Sequence, residues 1–140
     1  MNAPLRILCV DDEPDIRRVL SMALRFTLKA EVATAASAKE AFAHLAANPA
    51  PDAVLLDCMM PEIDGYSACQ TLRADARYRD LPVIFLSAKA NRAEQEQGLR
   101  AGADACLTKP FDPMKVGQEV SAVIQEIKAR RNSPAGILEK

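Results

Sequence analysis

Asp11, Asp12, Asp57, Ser87 and Lys109 each stand at or just after the end of a short apolar run in this 140-residue chain. Three carboxylates, a hydroxyl and an ammonium group at such positions are the materials for handling phosphate. Carboxylates that converge repel one another and push at least one pKa upward. A hard divalent ion relieves the repulsion, and Mg²⁺ suits a site of a few carboxylates, several waters and a phosphate. Lysine offers a compact point charge to a phosphoryl oxygen, and a serine hydroxyl can donate to another. A carboxylate can itself be the nucleophile in aspartyl-phosphate chemistry, where positioning and charge neutralisation do most of the work.

For these side chains to meet, the elements that carry them must end side by side. "LRILCV" (Leu5 to Val10), "EVATA" (Glu31 to Ala35), "AVLLD" (Ala53 to Asp57), "PVIFLS" (Pro82 to Ser87) and "ACLTK" (Ala105 to Lys109) are the strand candidates. The third and fourth are continuous and branched, as expected of central parallel strands covered on both faces.

Helical periods separate them. Ile16, Val19, Leu20, Ala23, Leu24 and Thr27 form a stripe on the first helix. Ser37 with Glu40 forms a capping box for the second, whose inner face is Ala41, Phe42, Leu45 and Ala46 before Pro49 stops it. Asp64 caps the third, Asn91 with Glu94 opens the fourth, and Asp112 with Pro113 opens the fifth. Val116, Val120, Val123, Ile124 and Ile127 line the fifth, which runs as far as Arg130 and Arg131. The fourth is the weakest: Leu99 is its only large apolar residue, and Gly98 costs about 1 kcal/mol against alanine. That helix is expected to pack loosely and shift easily.

Five repeats of strand then helix predict an α/β fold, a doubly wound parallel sheet flanked by helices on both faces. In such sheets ligands bind outside the carboxyl ends of the strands, where the strand order reverses. The five candidate residues fall on that rim, so Asp57 is charged because it lies at the edge of the sheet rather than within it.

Composition bounds the rest. Hydrophobic residues make up 49% and charged residues 26%, with a net charge of −1, so there is no general pull toward nucleic acid or an anionic membrane surface. No run approaches the length of a membrane span or a signal peptide. The four cysteines (Cys9, Cys58, Cys69, Cys106) contain no C-x-x-C pair and have one histidine to join them, which argues against zinc and for free thiols in a reducing cytoplasm. Cys9 and Cys106 are expected to act as small hydrophobes, and Cys58 to pack on the face opposite Asp57. His44 is expected to be a partly exposed helix residue, and Glu13 to belong to the helix start.

Taken together, "ILCVDDEPDIRRVL", "AVLLDCMMPEIDG", "VIFLSAK" and "GADACLTKPF" resemble, in order and spacing, the receiver domain of two-component response regulators. The resemblance covers about Leu5 to Arg130, and it implies the flavodoxin-like strand order 2-1-3-4-5. It also implies that Asp57 accepts a phosphoryl group from a sensor histidine kinase or a histidine phosphotransfer protein. Asp12 would bind Mg²⁺ (Mn²⁺ being the alternative ion) directly and Asp11 mostly through water, with the Met59 backbone carbonyl completing the protein ligands. Lys109 would contact the phosphoryl group, Pro110 would follow a cis bond that aims Lys109 inward, and Ser87 would supply the hydroxyl that moves toward a phosphoryl oxygen. The small Ala88 would keep the site accessible.

The chain departs from the family at Cys106, where many receivers carry a Tyr or Phe that turns inward as the hydroxyl moves. Activation is therefore expected to run through Ser87 and the fourth helix without a ring. Met59 and Lys89 occupy the positions that tune hydrolysis, and a thioether cannot orient water by hydrogen bonding, so slow self-dephosphorylation is expected.

The expected architecture is a receiver domain over residues 1–131 with a tail over 132–140. The expected function is a stand-alone, non-enzymatic switch that binds an unknown protein through the fourth helix, fifth strand and fifth helix, without contacting nucleic acid or inserting into a membrane. Alternatives are a relay intermediate or phosphate sink, a fragment of a larger regulator, and a Mg²⁺-dependent phosphohydrolase. The last needs a second acid two residues past the nucleophile, where this chain has Met59.

Overall fold

The computed structural model describes residues 4–88 and 92–132. Strands and helices alternate as β1 (Arg6–Val10), α1 (Pro14–Leu28), β2 (Glu31–Ala35), α2 (Ala38–Ala47), β3 (Ala53–Asp57), α3 (Gly65–Ala74), β4 (Val83–Ser87), α4 (Arg92–Ala101), β5 (Ala105–Thr108) and α5 (Val116–Asn132). All strand pairs are parallel, in the order β2-β1-β3-β4-β5. Every residue of β3 and β4 is buried, which is why these two read as unbroken apolar runs.

Two apolar clusters sandwich the sheet. Leu20, Leu24, Val120 and Ile124 of α1 and α5 cover one face, against Ile7, Cys9, Leu55, Ile84 and Leu86. Residues of α2, α3 and α4 cover the other, where Leu45, Cys69, Leu72 and Ala101 meet Leu8, Val54, Leu56 and Phe85. Cys58 lies in this second cluster, on the packing side that strand alternation assigned to it.

Local signals set the helix starts. Ser37 accepts a hydrogen bond from the Glu40 amide at 3.1 Å while the Glu40 carboxylate accepts from the Ala36 amide. Asp64 accepts from the Ser67 amide at 2.8 Å. Asp112 accepts from the Met114 amide, but it caps a turn over Pro113–Lys115, and α5 proper begins afterwards at Val116. The expected Asn91 cap lies outside the described residues.

The expected α1 stripe faces the core through its central residues, with Ile16 partly buried against the same cluster, and only its edge positions do not. Leu20, Ser21, Ala23 and Leu24 are buried, whereas Val19 and Thr27 are exposed alongside Met22 and Phe26. Met22 and Phe26 thus form a second apolar edge on the outer side of this helix. On α2, Ala46 likewise points outward.

Helix α4 presents no large side chain to the core. Gly98 and Ala101 are its buried residues, and Leu99 faces solvent. Gly98 is less a defect than a fitting: a Cβ there would fall 2.8 Å from Phe85 Cδ2 and 3.0 Å from Cys106 Sγ. Its absence lets α4 lie directly on β4 and β5.

At the amino ends of β4 and β5, Arg73 of α3 holds several segments together. Its guanidinium donates to the carbonyls of Gly102, Tyr78, Arg79 and Leu81 and pairs with Asp104 at 3.0 Å. Asp104 in turn accepts from the Val83 amide. Removing Arg73 would leave these partly buried acceptors and a carboxylate without their donor. Arg73→Ala is therefore expected to destabilise the domain by about 2–3 kcal/mol, seen as a lower denaturant midpoint at unchanged slope.

Candidate functional site

The strand order reverses between β1 and β3, so a crevice opens beyond their carboxyl ends. Asp11 and Asp12 follow β1, Asp57 ends β3, Ser87 ends β4 and Lys109 follows β5. Carboxylate oxygens of Asp11, Asp12 and Asp57 all lie within 4.8 Å of one another. Asp11 and Asp57 are 0% and 5% exposed, whereas Asp12 faces solvent.

The oxygens of Asp11 are already engaged. Oδ1 accepts from the Glu13 amide at 2.9 Å and Oδ2 from Lys109 Nζ at 2.8 Å. The Arg17 guanidinium donates to the Asp11 carbonyl, and the Asp11 amide donates to the Ala35 carbonyl. Lys109 Nζ also lies 3.3 Å from Asp57 Oδ1, so one ammonium bridges two buried carboxylates. Glu13 carries the solvent end of the same cluster, 4.0 Å from Lys109 Nζ.

Backbone contacts fix the rim. The Lys109 amide donates to the Ser87 carbonyl at 2.7 Å, and the Lys109–Pro110 bond is cis, as the resemblance implied. The Gly65 amide donates to the Cys58 carbonyl at 3.0 Å, and a Cβ at Gly65 would meet the Asp57 carbonyl oxygen. Glycine at that position lets α3 start directly against the strand end. Ala88 is exposed beside buried Ser87, and Met59 carries its thioether outward, 72% exposed.

Burial and the neighbouring Asp11 charge raise the Asp57 carboxyl to about 6; Lys109 and the Met59 amide oppose this without cancelling it. For Lys109 the balance runs the other way. Desolvation pulls the ammonium down, but the Asp11 hydrogen bond and the charges of Asp57 and Asp11 outweigh it and hold the group above its ordinary value. The donor set is all oxygen, crowded and short of positive charge. These features fit Mg²⁺ held by Asp11, Asp12 and Asp57.

Remaining sequence candidates stand apart. His44 sits on α2 with Asn48 as its neighbour. Burial pushes the Cys9 thiol up to about 12 and those of Cys58 and Cys69 up to about 11, so none is a ready nucleophile. Cys106 is half-buried on β5. Sequence reasoning missed Tyr66, whose ring packs edge-on against Phe85 and whose hydroxyl donates to Glu94 of α4. Its partners come from other elements, so no local pattern in the sequence marks it.

A raised Asp57 pKa means the folded protein binds more protons than the unfolded chain between pH 3.8 and about 6. Stability therefore falls as pH rises through that window and stays lowered above it. Asp57→Asn is expected to stabilise the metal-free protein by about 1–2 kcal/mol at pH 7.5, a gain that fades as pH falls toward 4. Denaturant unfolding with EDTA at the two pH values measures it.

The match to known proteins follows the same residues. Residues 7–121 match the family model described as the response regulator receiver domain. The chain is 40% identical over 133 residues to the response regulator Rre1 of Synechocystis sp., covering 95% of this chain and 55% of that protein. It is 38% identical over 120 residues to the DNA-binding dual master transcriptional regulator RpaA of the same organism, covering 86% and 49%. It thus spans about half the length of these curated relatives. Among solved structures, chemotaxis response regulator CheY4 of Vibrio cholerae superposes with a TM-score of 0.80 at 29% identity, covering 86% of this chain and 99% of that one. A BeF3-activated DrrB receiver domain superposes at 0.74 and 27%, covering 88% and 99%. The chain belongs to the response regulator receiver domain family of two-component signalling.

Proposed function

We propose that Asp57 receives a phosphoryl group from a phosphohistidine of a sensor kinase or phosphotransfer protein, and that the charged form changes what the domain binds. The observation that carries this reading is the convergence of three carboxylates within 4.8 Å of one another, two of them paired with the Lys109 ammonium. An Asp57 oxygen attacks phosphorus as the donor's phosphorus–nitrogen bond breaks, so the phosphoryl group passes to the carboxylate as an acyl phosphate.

Each residue has a distinct part. At neutral pH Asp57 is ionised, and a carboxylate titrating near 6 is a better nucleophile than an ordinary aspartate. Lys109, already 3.3 Å from Asp57 Oδ1, offsets part of the charge of the incoming oxygens. Ser87, at the end of β4, donates to another oxygen. Asp12 is exposed and suited to hold Mg²⁺ directly, with the Met59 carbonyl beside it. Asp11, its oxygens occupied by Lys109 and the Glu13 amide, is suited to hold the ion through water. Bound there, Mg²⁺ would neutralise the acids and the phosphoryl oxygens together.

Exposed Met22 and Phe26 of α1 lie with Pro113 and Met114 along one groove. This apolar strip continues from the loop after Lys109, which supports it as the seat of the phosphodonor protein. Output contacts through α4, β5 and α5 complete the reading, either as the whole of a regulator or as its receiving part in the cytoplasm. Among the described residues no helix is long and apolar enough to cross a membrane. A phosphohydrolase is disfavoured because the outward Met59 provides no acid or base beside Asp57. The chain is a phosphoacceptor rather than an enzyme.

With Mg²⁺ and acetyl phosphate, intact mass is expected to rise by one phosphate per chain, with no such gain for Asp57→Asn or in EDTA. A gain retained by Asp57→Asn would overturn the assignment. Because Met59 cannot position water, the phosphate is expected to persist for minutes or longer after the donor is removed. Loss within seconds would show that another group activates water; Lys89, which tunes this step in the family, lies outside the described residues.

A further inference from the structure

We propose that Tyr66 is a positioning residue that latches α4 to the phosphorylation site, standing in for the ring that β5 lacks. The inference rests on Asp57 being the phosphoacceptor. It is carried by a chain of contacts from the rim to α4 that does not involve β5.

Tyr66 is the second residue of α3, whose first residue, Gly65, is bonded through its amide to the Cys58 carbonyl and packed against the Asp57 carbonyl. The ring is thus referenced to the backbone of the phosphoacceptor itself. Its edge meets Phe85 of β4 in a T-shaped contact, with centroids 5.2 Å apart and planes at 86°. Phe85 lies two residues before the strand-ending Ser87, on the same face of the sheet. The Tyr66 hydroxyl donates to the Glu94 carboxylate in the first turn of α4. It also lies within hydrogen-bonding reach of the Cys58 thiol.

Small neighbours make the arrangement possible. Gly98 has no Cβ to collide with Phe85, and Cys106 is packed beside it where a ring from β5 would compete for the same space. Packing supplies the coupling. Ser87 and Phe85 share one strand face and α4 seats Gly98 against Phe85, so a shift of Ser87 toward a phosphoryl oxygen is expected to disturb the seat of α4 and with it Glu94. Tyr66, held by α3 and Asp57, does not follow. The bond between them must lengthen or break, so it favours the unphosphorylated arrangement.

A latch that stabilises the resting form weakens binding of a phosphoryl mimic by the same factor, through linkage. Tyr66→Phe keeps the ring and deletes the hydroxyl. It is expected to bind beryllium fluoride with Mg²⁺ roughly three- to tenfold more tightly, given the usual strength of a hydrogen bond to a charged group. Glu94→Gln, which keeps an acceptor, should fall between it and the wild type. The chain has no tryptophan and two tyrosines, so Tyr78→Phe leaves Tyr66 as the sole emitter, and its fluorescence should change when the mimic binds. Hydrogen exchange of α4 amides in the wild-type protein, with and without the mimic, should show α4 loosening. Tyr66→Phe should bring that loosening into the unliganded state.

Unchanged mimic affinity in Tyr66→Phe, or α4 exchange insensitive to both the mimic and the variant, would overturn the latch. If Asp57 takes up phosphate from acetyl phosphate in the same preparations, the receiver reading stands and the latch alone is wrong. If no phosphate is taken up, both fail together.

Discussion

The structure is organised around an electrostatic imbalance at one edge of the sheet. Two buried carboxylates, Asp11 and Asp57, share the ammonium of Lys109 at 2.8 and 3.3 Å, with Asp12 close by at the surface. Burial first, and the Asp11 charge second, keep the Asp57 carboxyl raised despite Lys109. A fold that keeps such acids together carries an unfavourable interaction that an added cation can remove. The same arrangement keeps Lys109 charged in a desolvated position.

The rest of the molecule keeps that edge in place. Buried β3 and β4 deliver Asp57 and Ser87 at fixed heights, and the reversal between β1 and β3 leaves room above them. At the other end of the sheet, Arg73 satisfies four carbonyls and Asp104 in one cluster. Among the described residues no buried side-chain nitrogen or oxygen lacks a partner. Buried polar side chains are thus satisfied away from the rim, where Arg73 gathers its acceptors, as well as at it. Helix α4, seated through a glycine and an alanine rather than large side chains, has the least apolar anchorage and lies beside Ser87.

Much of this was legible in the chain. Strand ends were marked by the switch from branched apolar residues to Asp57, Ser87 and Lys109, and hydrogen-bonding side chains marked the starts of α2 and α3. The rim residues could be grouped because parallel sheets place successive carboxyl ends together. Periodicity found the buried stripe of α1 but gave no sign that Met22 and Phe26 make a second apolar edge that faces outward. It also could not separate a capped turn from the start of α5. Gly98 read as a cost because its benefit is tertiary: the close approach to Phe85 exists only once β4 and α4 are packed. The aromatic contribution of Tyr66 was hidden for a similar reason. Its partners Phe85 and Glu94 come from other elements.

The central claim is that crowded acids at the rim create the need that a divalent ion meets. The most direct test is the unfolding midpoint of the wild-type protein as Mg²⁺ is raised from none to about 10 mM, beside that of Asp12→Ala and Asp57→Asn. A ligand that binds only the folded state stabilises it by RT ln(1 + [L]/Kd). The account predicts a wild-type midpoint that climbs with Mg²⁺ through the millimolar range and a much flatter response in both variants. Identical responses in all three proteins, or none in any, would contradict it.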